Sequence, residues 1–344
     1  MKKHRYINRR RRQAASAGED DTGRGMRKAA MDSIPFPALD PALRRARLDL
    51  PTEIVDAVLD TDTFNEVDDQ FALTYALLAT ETLRLRAVTA APFLNSRSTS
   101  PADGMEKSFE EIGRILALLD HPAEGFAFRG STGYLPDRRT PVDSAAARRI
   151  VELAREQRQS GKALYVFAIG AITNVASALL LDPEIVRDLV VVWLGGHDRN
   201  HPDNREFNLY QDVPAAQVIF DSGVPFLQVP CCTVAELLAT TPAELRELCA
   251  DTGAIGEFLL NRTCDFIGNG FAASKVIWDI SVIGWLRCRE GYRSELIPAP
   301  RLDDSGRYLD APAGRHEMRV ATHIQRDQVF ADLFTLLRKH AAQN

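Results

Sequence analysis

The sequence predicts an α/β fold, a mostly parallel, doubly wound sheet flanked by helices, and three observations support that prediction. From about residue 51 onward, short apolar runs alternate with stretches of helical periodicity. The apolar runs are rich in Val, Ile and Leu without strict polar alternation, as expected of strands covered on both faces. Polar clusters follow these runs, where ligands bind in folds of this class. The βαβα order therefore favours parallel strands joined by helical crossovers.

Five strands and five helices can be assigned from these patterns. The predicted strands are Ile54–Leu59, Leu83–Ala90, Ala163–Ile169, Leu189–Leu194 and Val224–Val229. The predicted helices are Asp69–Leu78, Ser108–Leu119, Ser144–Gln157, Asn174–Leu181 and Pro214–Asp221. A chain of 344 residues is long for one average domain but suits a single α/β domain, so residues 51–344 are predicted to form one.

Composition excludes several classes of partner. The chain is 45% hydrophobic and 26% charged, which is typical of a soluble globular protein. Its net charge of −5 provides no basic field, so no nucleic-acid partner is expected. No apolar run approaches the roughly 18 residues that cross a bilayer, so no membrane association is expected. The five cysteines lack zinc-finger spacing and predict reduced thiols in a cytoplasmic protein.

The first 50 residues differ from the rest of the chain. They begin with a basic run that includes four consecutive arginines, and then become rich in small and polar residues without hydrophobic periodicity. No apolar segment follows the basic residues, so a secretory signal is not predicted. We predict a disordered N-terminal extension, or an upstream segment with a true start at Met26 or Met31.

An acidic run directly follows the first predicted strand. Asp60, Asp62, Asp68 and Asp69 fall within ten residues, and they cannot all be ionised in one small volume without a cation. Grouped carboxylate oxygens suit Ca²⁺, or less well Mg²⁺, whereas zinc prefers His and Cys. Capping of the helix that begins near Gln70 by Asp68 or Asp69 is the structural alternative, but it explains only one or two of the four.

Four further polar clusters follow later apolar runs, and each also has a structural explanation. An Asn in a turn, a helix cap after a glycine and a tryptophan in the core are all common without any function. The glycine pair leaves room for a ligand, and Asn and Glu suit the hydroxyls of a sugar. The clusters are Asn95, Gly170–Asn174, Gly195–Asn208 with Glu206-Phe207-Asn208, and Trp278-Asp279.

The order of these five features resembles the inosine–uridine-type nucleoside hydrolase family. The resemblance runs from about Ile54 to the C-terminal region, and its specific motifs are the Asp-rich loop and Glu206-Phe207-Asn208. It implies hydrolysis of the N-glycosidic bond of a ribonucleoside or related ribosyl compound, giving ribose and free base, as in purine and pyrimidine salvage. It also implies a bound Ca²⁺, a small-molecule nucleoside substrate and a homodimer or homotetramer.

The family's site residues can be transferred only to positions that match its motifs. The resemblance implies that Asp62 takes a proton from the metal-bound water, and that the water attacks the anomeric carbon through an oxocarbenium-like state. The implied metal ligands are Asp62, Asp69, Asp279 and the backbone carbonyl of Ile169. The implied substrate-binding residues are Asp68, Asn95, Asn200, Glu206, Asn208 and Trp278.

The chain departs from the family pattern in three places. Two extra residues lie in the Asp-rich loop, which adds Asn65 and Glu66. The segment before Glu206 is shorter, so Asn204 competes with Asn200 for the sugar hydroxyls. Where many relatives carry His before the late Asp, this chain has Trp278, which favours stacking on the base. His197 and His201 are candidate substitutes for the missing general acid, although exposed loop histidines are the simpler interpretation.

Two other functions fit parts of the pattern. A strand followed by Asp-x-Asp, here Asp60 and Asp62, also opens the haloacid-dehalogenase-type Mg²⁺ phosphatases. A non-catalytic protein that binds a ribosyl ligand would keep the metal ligands while Phe64 and Glu66 block the pocket. Release of free base from nucleosides distinguishes the hydrolase from both alternatives.

Overall fold

An eight-stranded sheet forms the centre of the computed structural model, which describes residues 36–268 and 270–343. In chain order its strands are β1 (Val55–Thr61), β2 (Leu83–Ala90), β3 (Ala127–Phe128), β4 (Leu164–Ala168), β5 (Leu189–Leu194), β6 (Phe226–Val229), β7 (Tyr292–Pro298) and β8 (Glu317–Ile324). Across the sheet the order is β3-β2-β1-β4-β5-β6-β8-β7. Every neighbouring pair is parallel except β8 with β7.

Helices make up most of the connections between these strands. In chain order they are α1 (Pro41–Leu48), α2 (Asp69–Leu78), α3 (Pro101–Leu118), α4 (Ala145–Gln159), α5 (Thr173–Leu181), α6 (Phe207–Gln211), α7 (Val213–Ser222), α8 (Pro242–Leu248), α9 (Gly253–Ile267), α10 (Ile280–Arg287) and α11 (Arg326–Ala341). Three short 3₁₀ turns lie at Pro183–Arg187, Ala235–Leu237 and Arg289–Gly291. Two minor ribbons pair Ala239–Thr240 with Lys275–Val276, and Arg301–Leu302 with Tyr308–Leu309.

Both faces of the sheet are covered, because successive side chains of a strand point to opposite sides. On one side Ala57 and Leu59 of β1 pack in a large core cluster with residues of α2, α10 and α11. On the other side α4, α5 and α7 pack side by side, and Val58 of β1 is fully buried. The strands β1, β4, β5 and β6 are buried along their whole lengths. The predicted doubly wound α/β fold is therefore confirmed.

The predicted elements agree with the structure to within a few residues, apart from the start of α3. That helix begins at Pro101 rather than at 108, because Ser100 Oγ accepts a hydrogen bond from the Asp103 amide at 3.1 Å and Pro suits the first turn. The sequence patterns did not predict the strands and helices after residue 229. Among these are β7 and β8, which extend the sheet, and α11, which adds Phe330 and Leu333 to the core.

The ordered domain begins before the predicted boundary at residue 51. Helix α1 lies within the predicted extension, and Leu48 is only 1% exposed. Arg44 donates to the Gly223 carbonyl at 2.8 Å, and Arg45 forms an ion pair with Glu317 at 2.6 Å. The boundary at residue 51 is therefore wrong, because these contacts fix α1 to the domain. Residues 1–35 of the predicted extension lie outside the described residues.

Among the described residues, no helix combines the length and apolar character needed to span a bilayer. All five cysteines are free thiols, as predicted.

Candidate functional site

A pocket of about 300 Å³ opens at the carboxyl ends of the central strands. It is lined by residues from the loop after β1, the ends of β4 and β5, the turn that begins α6, and the segment before α10. Because these segments follow neighbouring parallel strands, they meet at one edge of the sheet. The Asp-rich loop, Ile169, Glu206 to Asn208, and Trp278-Asp279 are all present in the lining. Three of the five polar clusters identified in the sequence therefore contribute residues to the lining of this pocket.

Asp60 supports the site from beneath. It is fully buried in β1, between Thr89 of β2 and Ala168 of β4. One carboxylate oxygen accepts hydrogen bonds from Thr89 Oγ1 at 2.6 Å and Asn174 Nδ2 at 2.8 Å. Asn174 in turn accepts from the amide and hydroxyl of Ser131 at 2.8 Å. Burial raises the pKa of Asp60 to about 6, and the two hydrogen bonds oppose that rise. The Thr-Asn turn therefore connects β1, β2 and the loop before α4.

Asp62 is a buried carboxylate whose oxygens are both unpaired among the described residues. It is fully buried and lines the pocket. Burial raises the pKa of Asp62 well above its ordinary value, and the charges of Asp69 and Asp68 raise it further. Buried polar groups are nearly always paired, so an unpaired carboxylate facing a pocket indicates a missing partner.

Three more aspartates gather beside Asp62. Carboxylate oxygens of Asp68, Asp69 and Asp279 all lie within 4.8 Å of one another, and all three side chains are buried. Burial raises the pKa of Asp69 to about 7, with a further contribution from the charge of Asp68. Burial and the neighbouring aspartates also raise the pKa of Asp279 well above its ordinary value. The group could hold a metal ion, and its donors are oxygen atoms of the kind that hard divalent cations prefer.

Asp69 and Asp68 are held by different partners. Thr61 Oγ1 donates to Asp69 at 2.5 Å. Asp68 accepts from the Trp278 amide at 3.1 Å and from Lys275 Nζ at 3.1 Å. Asp68 occupies the position before α2, but its side chain makes no capping hydrogen bond. Helix capping is therefore not the explanation for Asp68, and the acidic run serves the pocket instead.

Lys275 is a site residue that the sequence analysis missed. It is 7% exposed and forms ion pairs with Glu66 at 2.8 Å and Asp68 at 3.1 Å. Burial lowers the pKa of Lys275, but the charges of Asp68 and Glu66 outweigh that effect and raise it overall. Its signal in the sequence was a lysine in an otherwise apolar run three residues before Trp278. Lys275 neutralises part of the acidic cluster and fixes Glu66, one of the two extra loop residues.

Asn65, the other extra residue, connects Asn95 to the pocket. Asn65 is buried in the pocket lining, and its side-chain oxygen accepts from Asn95 Nδ2 at 2.6 Å. Its own amide donates to the Asp62 carbonyl at 2.7 Å, which tightens the loop. Asn95 itself is not among the lining residues. Asn95 therefore acts on the pocket through Asn65 rather than by direct contact.

Glu206 and Asn208 lie in the pocket lining with most of their polar groups already engaged. The Glu206 carboxylate accepts from the amides of Gly196 at 2.7 Å, and of Asn208 and Leu209 at 2.9 Å, so it caps α6. Burial raises the pKa of Glu206, and these amides oppose the rise. Asn208 Nδ2 donates to the carbonyls of Ile169 at 3.2 Å and Leu194 at 3.0 Å. The side-chain oxygen of Asn208 is the group that it can offer to a ligand.

Neither candidate for the Asn200 role reaches the pocket. Asn200 is exposed and lines a separate cavity, because its amide donates to Asp198 at 2.8 Å in a tight turn. Asn204 is buried but holds the loop together, accepting from the His197 amide at 2.7 Å and donating to the Gly306 carbonyl at 2.8 Å. The structure thus does not place Asn200 where the resemblance implied.

Aromatic and sulfur-containing side chains occupy the remaining wall of the pocket. Trp278, His197, Cys231 and Cys232 all line it, and the His197 and His201 rings lie 4.2 Å apart. Partial burial lowers the pKa of His197, and the neighbouring His201 lowers it further. Of the two candidate general acids, His197 lines the pocket and His201 does not.

Gly170 allows the close approach on which the site depends. A Cβ added to Gly170 would lie 3.2 Å from Asp62 Cγ and 3.0 Å from the Ala91 side chain. Those distances are too short for a methyl group in a packed interior. The turn after β4 therefore needs a glycine where it packs against Asp62.

Comparisons with known proteins agree with this arrangement. The family model for inosine-uridine preferring nucleoside hydrolase matches residues 57–330. The chain is 31% identical over 194 residues to the pyrimidine-specific ribonucleoside hydrolase RihA of Enterobacter sp. (strain 638), covering 49% of this chain and 58% of that protein. It is 31% identical over 182 residues to RihA of Klebsiella pneumoniae, covering 46% of this chain and 55% of that protein. The chain thus spans little more than half the length of these relatives.

A solved structure has a similar fold. The purine-preferring ribonucleoside hydrolase from Gardnerella vaginalis matches with a TM-score of 0.67 at 20% identity, covering 84% of this chain and 100% of that chain.

Proposed function

The chain belongs to the inosine-uridine preferring nucleoside hydrolase family, and we propose that it hydrolyses the N-glycosidic bond of a ribonucleoside with the help of Ca²⁺. The products would be ribose and the free base. One observation carries the proposal: Asp62 is buried in a pocket of nucleoside size beside three further aspartates, and its carboxylate has no hydrogen-bond partner within the part of the chain that the structure describes. Family membership leaves the predicted alternative of a haloacid-dehalogenase-type phosphatase without support.

The donor set fits a hard cation. Asp62, Asp69, Asp279 and the Ile169 carbonyl would hold it, and all of these donors are oxygen atoms. Buried carboxylates that lie close together raise one another's pKa when no cation is bound between them. The raised pKa values of Asp69 and Asp279 and the unpaired oxygens of Asp62 agree with this expectation. A bound divalent cation supplies that charge and favours the deprotonation of water. The three carboxylates and the carbonyl together contain seven oxygen atoms. Ca²⁺ accepts about six to eight oxygen ligands in flexible geometry, whereas Mg²⁺ demands a near-ideal octahedron, so this set favours Ca²⁺.

The chain's own residues then have separate tasks. Asp62 accepts the proton of the attacking water, because its oxygens are engaged by no other group among the described residues. Asp68, held by Lys275 and the Trp278 amide, presents its carboxylate to the ribose hydroxyls. Nearby carboxylates also stabilise the positive charge that develops on the sugar in an oxocarbenium-like transition state.

The leaving base meets a different part of the pocket. Trp278 is part of the lining and offers an aromatic face for stacking. His197 also lines the pocket and is a candidate proton donor to the base. Glu206 and Asn208 position the sugar from the α6 side, while Asn95 supports the loop through Asn65. RihA is named as pyrimidine-specific and the Gardnerella enzyme as purine-preferring, so a turnover assay should include nucleosides of both classes.

The experiment is a turnover assay on the full chain with Ca²⁺ and a panel of purine nucleosides, pyrimidine nucleosides and nicotinamide riboside. We expect release of free base and reducing sugar in equal amounts, and loss of both in Asp62→Asn. Asp56→Asn, at the other end of β1, is the matched control and should retain turnover. Binding without product across the whole panel would refute the hydrolase and support the non-catalytic alternative. Against that alternative, Phe64 is not among the lining residues, and Arg97 covers its ring at 4.6 Å.

The oligomeric state, the cellular location and the metabolic role remain predictions. A homodimer or homotetramer in the cytoplasm, acting in salvage, agrees with the proposed activity. Sedimentation of the purified chain distinguishes the two assemblies.

A further inference from the structure

We propose that His197, His201 and Cys232 form a second cation site at the wall of the pocket, one that takes Zn²⁺ and hinders substrate binding when it is filled. One nitrogen of each histidine and the Cys232 sulfur lie within 4.8 Å of one another. The two histidines and Cys232 are all partly exposed, so a cation can reach them from solvent. Imidazole nitrogen and thiolate sulfur are the donors that zinc prefers, whereas the aspartate cluster offers only oxygen.

Hydrogen bonds to the backbone orient His201 and fix the loop that carries Cys232. His201 Nδ1 lies 2.7 Å from the Asp203 carbonyl, a contact that places the proton on Nδ1 and leaves Nε2 free. Metal-binding histidines commonly donate their other ring nitrogen to a backbone carbonyl in this way. The Cys231 amide donates to the Gly196 carbonyl at 2.9 Å, so the loop of Cys232 is fixed beside the loop of His197.

Charge and spacing also favour a cation here. The negative charges of Glu236 and Asp203 act on both His197 and Cys232, and that of Glu206 acts on Cys232. In a tetrahedral zinc site the ligand atoms lie about 3.5 Å apart, given Zn–N near 2.0 Å and Zn–S near 2.3 Å. Since the three ligand atoms lie within 4.8 Å of one another, they need to approach by at most about 1.3 Å, which side-chain rotation achieves for partly exposed groups. As the Zn–S bond forms, the Cys232 thiol proton is released to solvent.

Occupancy of this site has a consequence for the pocket. His197 and Cys232 both line the pocket, whereas His201 does not. A cation bound by the His197 imidazole occupies the group that the proposed function offers to the leaving base, so metal and substrate compete for that side chain. This effect on turnover rests on the proposed function, but binding of the metal does not.

The experiment measures binding and turnover separately on the full chain in the presence of Ca²⁺. Calorimetry with Zn²⁺, and absorption spectra with Co²⁺ as a probe for thiolate ligation, report binding directly. We expect one Zn²⁺ site, a thiolate-to-cobalt absorption band that is absent in Cys232→Ser, and inhibition of turnover by Zn²⁺. His201→Asn removes a ligand, so it should weaken Zn²⁺ binding and inhibition by at least about 10- to 100-fold, the cost of losing an outer-shell partner. His201 lies outside the pocket, so turnover of this variant without zinc should be retained.

Matched controls use residues of the same type elsewhere. Cys264 is a partly exposed cysteine on α9, and His323 is a partly buried histidine on β8. Cys264→Ser and His323→Asn should bind Zn²⁺ like the unmodified chain. Equal Zn²⁺ affinity in Cys232→Ser, His201→Asn and the controls would overturn the proposal and place any zinc at the aspartates. Zinc binding without any turnover to inhibit would instead count against the proposed hydrolase while leaving the site intact.

Discussion

The two ends of strand β1 differ in how many partners a buried carboxylate has. Near the amino end, Asp56 is 6% exposed and accepts from Arg84 at 2.6 Å, Arg86 at 2.5 Å and Gln157 at 2.8 Å. Just beyond the carboxyl end, Asp62 is fully buried and has no partner for either oxygen among the described residues. The same short segment thus contains one fully compensated carboxylate and one uncompensated carboxylate.

This difference shows what each end contributes. A buried charge that is paired with arginines and an amide is a structural element, and removing one partner destabilises the fold. A buried charge left unpaired costs stability and persists only where a ligand provides the compensation. On the proposed function, the amino end of the sheet serves stability and the carboxyl end serves binding.

The largest expected effect is on turnover. Asp62→Asn should reduce kcat by about 10²–10⁴-fold, the range for loss of a general base, while thermal stability in the absence of Ca²⁺ stays equal or rises. The physical reason is that the amide cannot accept the proton and no longer repels Asp69. Steady-state kinetics and thermal unfolding check the two parts. A large loss of stability without Ca²⁺ would show that Asp62 is a structural residue like Asp56.

The next effect is the stabilisation of the folded protein by Ca²⁺. At a Ca²⁺ concentration a hundredfold above Kd, the native state should gain about 2.7 kcal/mol, and a chelator should remove that gain. Asp279→Asn should lose most of the gain, because it removes one of the charged ligand groups, whereas Asp56→Asn should keep it. Thermal unfolding with and without Ca²⁺ provides the measurement. Equal Ca²⁺ shifts in both variants would mean that the cation does not bind at this cluster.

A smaller effect is expected at the amino end. Asp56→Asn should lower the free energy of unfolding by about 1–3 kcal/mol, because Arg84 and Arg86 lose a charged acceptor while both retain access to water. The side chains of Arg84 and Arg86 are 69% and 29% exposed, which limits the loss. Urea denaturation measures this loss. If Asp56→Asn left stability unchanged but abolished turnover, the division of roles between the two ends would be wrong.

The smallest effect at neutral pH is a pH dependence at the same amino edge, because it develops only as the pH falls below about 6.5. Burial, together with Arg315 and Arg44, lowers the pKa of His316 to about 3 in the folded protein. The unfolded chain takes up the proton near pH 6.5, so unfolding gains a proton and stability falls as the pH drops from about 6.5 toward 4. His316→Gln should reduce the slope of stability against pH by up to about one proton. Urea denaturation between pH 4 and 7, at fixed Ca²⁺, tests it, and His323→Gln is the control.

Much of the site was predictable because the chemistry lies in short motifs. Asp62, Asp68, Asp69 and Asp279 came from carboxylates that follow apolar runs, and parallel strands bring such residues to one edge. The fold class followed from the same alternation. Those signals are local in sequence, so no tertiary information was needed to find them.

The remainder depends on contacts between distant segments. Lys275 looked like one lysine in an apolar run, and its role depends on Glu66 and Asp68, which are about two hundred residues earlier in the chain. Asn200 matched by residue type, but a turn at Asp198 directs it away from the pocket. Helix α1 has a polar sequence, and only its contacts with the Gly223 carbonyl and Glu317 place it in the domain.

The acidity of the pocket lining bears on the charge of the ligands that the proposed function would accept. Among the described residues, Arg205 is the only arginine or lysine in the lining, and its guanidinium lies over the Tyr210 ring at 4.3 Å. A phosphate ester carries about two negative charges, so it meets repulsion from the carboxylates, whereas an uncharged nucleoside does not. If the proposed function holds, we expect this acidity to favour nucleosides over nucleotides. The lining carboxylates are Asp62, Glu66, Asp68, Asp69, Glu206 and Asp279.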